Sequence, residues 1–259
     1  MLQLRLSGNM GRADLHIHTD AGDGLDSVEA IFDQVESAGA LDVIAITEHD
    51  HLEVALRARD LWARRRLGFD FVPGVEVTTL AGHVVALYVE APLPSLRPVE
   101  ETIAAVHDQG GVCFVPHPLS WLTRSIGDAA LGRLRARRDP DLWFDGIELA
   151  QASPAARFYL EKARRRNRES YRLPAIGASD AHFVEAIGSA FTVFEGDSAA
   201  DLRRAFATGS LTGVVGTYPS LAEVGYRRSL GLPIRGLAAT PRRLGWRRTA
   251  WSFVSRYVA

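Results

Sequence analysis

The chain has eight histidines, and six of them sit in short motifs with acidic residues close by. His16 and His18 lie in DLHIHTD, with Asp23 just beyond in DAGDG. His49 lies in ITEHD, Glu76 in FVPGVEVTT, His83 in GHVVAL, His117 in FVPHP, and Asp180 and His182 in GASDAH. Alternate residues of an extended chain face one side, so each x-spaced pair can reach a single point. Neutral imidazoles mixed with carboxylates suit zinc, manganese and iron. These nine side chains exceed the needs of one tetrahedral ion. Two or three divalent ions are therefore expected, with Glu76 or Asp180 as a bridging carboxylate. Taken singly, each motif has a plain alternative: a chance His-x-His, a packed loop His117, a capping Asp180. Their conjunction is what argues for a cation cluster. His51, at a helix start, and His107, inside a helix, are read as structural or surface residues.

Such scattered groups meet only if the intervening elements gather them. Apolar runs at 13–18, 42–47, 69–77, 83–89, 112–116, 144–149, 174–178 and 190–194 predict strands buried on both faces. Helical spacing is predicted over 27–38, 52–66, 98–109, 129–138, 155–171 and 199–208. Ser27 is placed to cap the first helix, and Gly39, Gly68 and Gly110 follow three helices where left-handed caps are expected. The alternation predicts an α/β fold, a parallel sheet with helices outside, either a closed barrel or an open doubly wound sheet. In both, the carboxyl ends of the strands share one face, where sites form.

With 259 residues, 47% of them hydrophobic, the chain can bury a sizeable core. Cys113 is the single cysteine, so no intramolecular disulfide exists, which fits a reducing compartment. The N-terminal stretch lacks the apolar core of a signal peptide, and no apolar run approaches the ~20 residues of a membrane span. A cytoplasmic protein is expected. The formal net charge of −1 hides an asymmetry: residues 211–259 hold eight arginines and one acid, Glu223. Such a tail either packs on its own acidic body or meets nucleic acid, anionic lipid or an acidic partner. It is expected to be an irregular basic appendage ending in a short amphipathic helix around Trp246, Trp251, Phe253 and Tyr257. The expected division is a barrel over 1–215 and the appendage over 216–259.

In order and spacing, DLHIHTDAGDG, ITEHD, GVEVTT with GHVVAL, FVPHP and IGASDAH resemble the successive motifs of the polymerase and histidinol phosphatase (PHP) superfamily. The resemblance runs from about Ala13 to Gly209. It implies a distorted (β/α)7 barrel, a two- or three-metal site holding manganese, iron, zinc or magnesium, and phosphoester hydrolysis. It places the ligands on His16, His18, Asp23, His49, Glu76, His83, His117, Asp180 and His182. Two positions depart from the pattern. Many members have aspartate where Glu48 stands, and some have histidine where Asp23 stands. Glu48 is still expected to orient His49. Members that hydrolyse nucleotides often carry an inserted domain, and only the short stretch 119–145 offers room for one.

The expected chemistry is hydrolysis by a hydroxide that the metal cluster activates for in-line attack on phosphorus. His16, His49 and Asp180 are assigned catalytic as well as ligand roles. Arg124 is a candidate for gripping the phosphate bidentately, its alternative being an ordinary surface arginine. Asp50 either orients a ligand, assists proton transfer or caps a helix. A small phosphomonoester is the first substrate choice, and nucleic-acid ends are second, favoured if the basic tail faces the metals. A regulatory metal-binding module and a hydrolase acting at carbon are the rival classes.

Overall fold

The computed structural model describes residues 9–225 and 232–250. The expected strands are present, with one more at the end, but the first is shifted from 13–18 to Met10–Asp14, so His16 and His18 lie beyond it. They are β1 (Met10–Asp14), β2 (Val43–Ile46), β3 (Asp70–Thr78), β4 (His83–Leu87), β5 (Val112–Val115), β6 (Gly146–Ala150), β7 (Ala175–Gly177), β8 (Ala190–Glu195) and β9 (Thr212–Val215). They form one sheet in the order β7-β6-β5-β4-β3-β2-β1-β8-β9. The sheet curls until β7 lies against β8: the Thr192 hydroxyl accepts from Gly177 N–H at 3.0 Å and donates to Gly177 O at 2.8 Å. The result is a nearly closed barrel.

The pairing is mixed, which corrects the expectation of a parallel sheet. β1–β2, β2–β3, β5–β6 and β6–β7 are parallel. β3–β4, β4–β5, β1–β8 and β8–β9 are antiparallel. The reversal of β4 matters for chemistry. In a parallel sheet His83, at the start of its strand, would sit at the end opposite the other motifs. Because β4 runs backwards, His83 pairs with Thr78 at the carboxyl end of β3.

Burial on both faces explains the uninterrupted apolar strands. Along β2, Val43 and Ala45 join an inner cluster with Val72, Val85, Phe114 and Ile176. Ile44 and Ile46 join the larger cluster under the helices. The helices are α1 (Val28–Ala38), α2 (Leu52–Arg65), α3 (Val99–Asp108), α4 (Asp128–Arg137), α5 (Leu160–Arg166) and α6 (Ala199–Thr208). Ser27 caps α1 by accepting Ala30 N–H, and Gly39 ends it in the left-handed region at φ 56°. Phe32 of α1 meets Phe69 and Phe71 edge-on, at 5.7 and 5.6 Å between ring centres. Gly110 also takes a positive φ, but Gly68 is no cap: Arg66 makes the left-handed turn, and Gly68 N–H donates to Glu36. The helix predicted over 155–171 is broken into a 3-10 turn (Ala156–Phe158), α5 and one π turn (Asn167–Tyr171). Asn167 closes that last turn by bonding both N–H and O of Leu173.

The described part of the basic tail is irregular over 216–220 and then mostly helical: α7 (Leu221–Val224), α8 (Leu232–Leu244) and a further turn over 246–250. Arg235 of α8 donates to Gly24 O at 2.6 Å, and Arg243 donates to Asp50 O at 3.2 Å. Trp251, Phe253, Tyr257 and three of the tail arginines (Arg227, Arg228, Arg256) lie outside the described residues. Among the described residues no helix is long and apolar enough to cross a membrane.

Closure of the barrel depends on a missing side chain. A Cβ at Gly177 would lie 2.1 Å from Phe191 O, in the backbone of β8. Gly177→Ala is therefore expected to lower stability by about 3 kcal/mol, the upper end for overpacking. Urea denaturation followed by circular dichroism checks this, and an unchanged midpoint would show that the seam is looser than described.

Candidate metal centre

Two neighbouring segments bring the paired motifs together. β1 ends at Asp14, whose carboxylate accepts Ser179 N–H at 3.0 Å and Gly188 N–H at 2.8 Å. Burial raises Asp14 to about 6 despite these bonds. Beyond β1 the chain stays extended. His18 N–H donates to Ala181 O at 2.8 Å and Ala181 N–H donates to His16 O at 3.2 Å. The side chains of His16, His18, Asp180 and His182 thus face one side of this ladder. His49 is fixed by Asp50 N–H to Glu76 O, and His83 by its own N–H to Arg124 O at 2.7 Å. His117 and Asp180 hold positive φ angles of 29° and 52°, uncommon for residues with side chains and frequent where a group must be aimed.

All nine expected ligands converge, with Glu76 at the hub. Its Oε2 lies 2.9 Å from His49 Nδ1, 3.4 Å from His16 Nε2 and 3.5 Å from His18 Nε2. Its Oε1 lies 2.8 Å from His83 Nδ1 and 3.1 Å from His117 Nε2. Asp180 Oδ1 stands 3.4 Å from His16 Nε2 and 3.3 Å from His18 Nε2. Asp23 Oδ2 stands 3.4 Å from His49 Nε2 and 3.3 Å from His182 Nε2. The ligand atoms fall into three overlapping groups, each within 4.8 Å: His18, Asp23, His49 and His182; His16, His18 and Asp180; His49, Glu76 and His83. His18 and His49 each belong to two of them.

The polar atoms are those of a cation site rather than a self-satisfied network. His16 and His18 bring two Nε2 atoms within 3.1 Å of each other. His49 Nδ1, both ring nitrogens of His83, and Asp23 Oδ1 are buried without a hydrogen bond. His49 Nδ1 and His83 Nδ1 nonetheless lie 2.9 and 2.8 Å from Oε2 and Oε1 of Glu76, so these atoms are close but not aimed at each other. Lone pairs that crowd one volume without pairing fit divalent cations. The charges agree. Burial opposes ionising Glu76, yet His83, His49 and His16 hold it well below the usual carboxylate range. Burial likewise opposes charging His182, yet Asp23 and Asp180 raise it to about 9. Burial holds His83 down at about 4, a neutral ring suited to ligation.

The rings that aim Nε2 inward use Nδ1 outward. His16 Nδ1 meets Glu148 Oε2 at 3.4 Å, His117 Nδ1 meets Ser125 Oγ at 2.8 Å, and His182 Nδ1 meets Asp180 O at 2.9 Å. His18 Nδ1 meets Glu48 Oε1 at 3.4 Å. Glu48 therefore orients His18, not the ring of His49 as expected, and it also binds Thr19 N–H. Asp50 braces the loop instead of capping α2. It accepts Thr78 N–H, the Thr78 hydroxyl and the Ser95 hydroxyl, while His51 occupies the cap position. Arg124 is buried and reaches Thr79 O at 3.5 Å, in the loop that carries His83's main-chain partner. Sequence reasoning missed Glu148, Gln151 and Ser125. Glu148 is an acid inside the apolar run GIELA, which is a readable signal. A separate trio, His107, Cys113 and Asp145, is satisfied internally. Asp145 Oδ2 accepts Cys113 N–H and meets His107 Nε2, and His107 Nδ1 meets Asp141 O, which makes it a structural clamp.

Comparison with known proteins gives the class. A family model described as PHP-associated matches residues 160–211. The uncharacterized protein MJ1587 of Methanocaldococcus jannaschii is 31% identical over 151 residues, 54% of this chain and 82% of that protein. The 5'-3' exoribonuclease Rnm of Salmonella typhimurium is 33% identical over 88 residues, and the match covers only 30% of its length. A two-domain protein of Bacteroides vulgatus, containing a predicted PHP-like metal-dependent phosphoesterase, superposes with a TM-score of 0.64 at 20% identity, covering 81% of this chain and 66% of that one. The chain thus matches the PHP-associated family over residues 160–211, and its fold is similar to that of the PHP-like protein.

Outer partners of metal-bound histidines typically affect affinity ten- to a hundredfold. Glu148→Gln is therefore expected to weaken manganese binding about 10–100-fold without unfolding the barrel. Metal titration followed by plasma mass spectrometry reads this, and wild-type affinity would deny Glu148 an orienting role.

Proposed function

We propose that this chain is a metal-dependent phosphoesterase, with His16, His18, Asp23, His49, Glu76, His83, His117, Asp180 and His182 holding two or three divalent ions. The observation that carries this reading is Glu76, a buried carboxylate whose two oxygens face five imidazoles. Bound divalent cations supply Lewis acidity, which makes water a competent nucleophile at neutral pH and offsets charge on phosphoryl oxygens. The chain's own work is positioning. Glu148, Glu48 and Ser125 lock three rings, and buried walls keep bulk water away. His182, Asp180 and His49 are the most open ligands and mark the mouth, with side chains 24%, 16% and 11% exposed. His16, His49 and Asp180 remain the residues assigned to catalysis, and Arg124 the one assigned to the phosphate.

The substrate in this reading is a small phosphomonoester. α8 stands at the mouth, since a Cβ at Gly236 would come within 3.5 Å of Asp23 Oδ2, and this narrows the approach. It supports packing of the 216–259 appendage on the 1–215 barrel. A second reading, action on nucleic-acid ends, draws support from the same tail, which brings Arg235 and Arg243 to this face. The exoribonuclease relative points the same way. Salt separates the two: cleavage of long nucleic acid falls steeply with ionic strength, while a small monoester responds weakly.

Manganese-loaded protein is expected to hydrolyse para-nitrophenyl phosphate. Asp180→Ala should lower kcat by at least about a hundredfold, the scale of a lost electrostatic catalytic group, with the far-UV spectrum unchanged. No turnover with any of several metals would favour the metal-binding module.

A further inference from the structure

Six large apolar side chains are exposed among the described residues, and two of them, Trp121 (74%) and Phe158 (55%), meet, with Leu122 (47%) next to Trp121 in the chain. The rings of Trp121 and Phe158 meet at 61°, with centres 6.4 Å apart, leaving an open angle rather than a closed stack. Arg157 lies over Phe158, its guanidinium carbon 4.7 Å from the ring centre.

Neither ring projects from a loose segment. The loop carrying Trp121 is tied back to His117 at both ends. Ser120 N–H donates to His117 O, Thr123 Oγ1 meets His117 Nδ1 at 3.1 Å, and the Ser125 hydroxyl donates to His117 O. Ser120, Arg124 and Ser125 are buried, so the loop's inner side is packed while Trp121 and Leu122 face out. Phe158 ends the turn Ala156–Phe158. The next residue, Tyr159, is buried and donates its hydroxyl to Gln151, whose amide donates to Asp180 Oδ2 at 3.5 Å. One aromatic is thus anchored to His117 and the other, through two side chains, to Asp180 at the mouth.

Folding gains little from two rings left in water, whereas a flat ligand gains from a rigid aromatic face. We infer that the Trp121–Phe158 corner is a stacking subsite for the base of a nucleotide whose phosphate occupies the metal centre. The inference deepens the phosphoesterase reading and rests on it for the position of the phosphate. A nucleobase fits because any base offers a π-face, so this surface binds it without reading its edges. Arg157 adds a cation against Phe158. The substrate class that follows is a nucleoside 5'-monophosphate or the terminal nucleotide of a strand, in preference to a bare sugar phosphate.

The test uses the full chain loaded with manganese and 2-aminopurine riboside 5'-monophosphate, whose fluorescence falls when its base stacks. Saturable quenching is expected, reversed by adenosine 5'-monophosphate at concentrations about tenfold lower than ribose 5-phosphate, the loss expected for one stack. Trp121→Ala should weaken the probe by about tenfold and abolish the quenching, while Trp121→Phe retains binding. Phe158→Ala gives an independent second variant. An unquenched probe, or equal affinity and quenching in wild type and Trp121→Ala, overturns the subsite. Turnover of para-nitrophenyl phosphate without quenching refutes the subsite alone. Quenching without turnover upholds the subsite and refutes the phosphoesterase reading.

Discussion

The centre depends on one buried carboxylate. Glu76 has essentially no contact with water, and five imidazole nitrogens stand close to its two oxygens. Removing a carboxylate from water costs several kcal/mol, and buried charge persists only when opposite charge is held beside it. Protons on the rings can provide that charge, which is why His16 and His49 are driven well above their ordinary range by the acids once burial has been overcome. Divalent cations provide it more fully, because the ring nitrogens then donate lone pairs and no longer repel one another. The same charge balance that keeps Glu76 buried would therefore favour divalent cations at this point.

The barrel serves this balance through its irregularities. β3 delivers Glu76 from its carboxyl half, and β4 turns straight back so that His83 pairs with Thr78. A parallel connection would have carried His83 to the far rim. The His16–His18 and Asp180–His182 segments are extended beyond their strands and bond to each other, so their side chains alternate in step. Where φ turns positive, at His117 and Asp180, the strain is held by surrounding bonds rather than relieved. α8 lies across the same rim, tied to Gly24 and Asp50.

Much of this was legible in the amino-acid order. The convergence of the histidines and acids was readable because metal chemistry would demand these side chains, and extended chain gives the pairs a fixed two-residue spacing. The strands were readable because both faces are buried. The strand directions were not, since a hairpin and a crossover leave the same apolar runs, and β9 was too short and half-buried to stand out. The helix over 155–171 failed because its apolar spacing continues while Asn167 and Tyr159 take tertiary partners that break it. The orienting groups were hardest. Glu148 meets His16 across 132 positions, and Glu48 turned out to serve His18, a choice made by side-chain direction rather than by adjacency.

The central claim is that these side chains surround cations. Anomalous X-ray diffraction from crystals grown with manganese tests it most directly. The account predicts two or three strong peaks enclosed by Glu76, Asp180, Asp23 and the six histidines, with Glu76 in contact with more than one. Peaks elsewhere, or an ordered protein whose cluster binds only water, would contradict it.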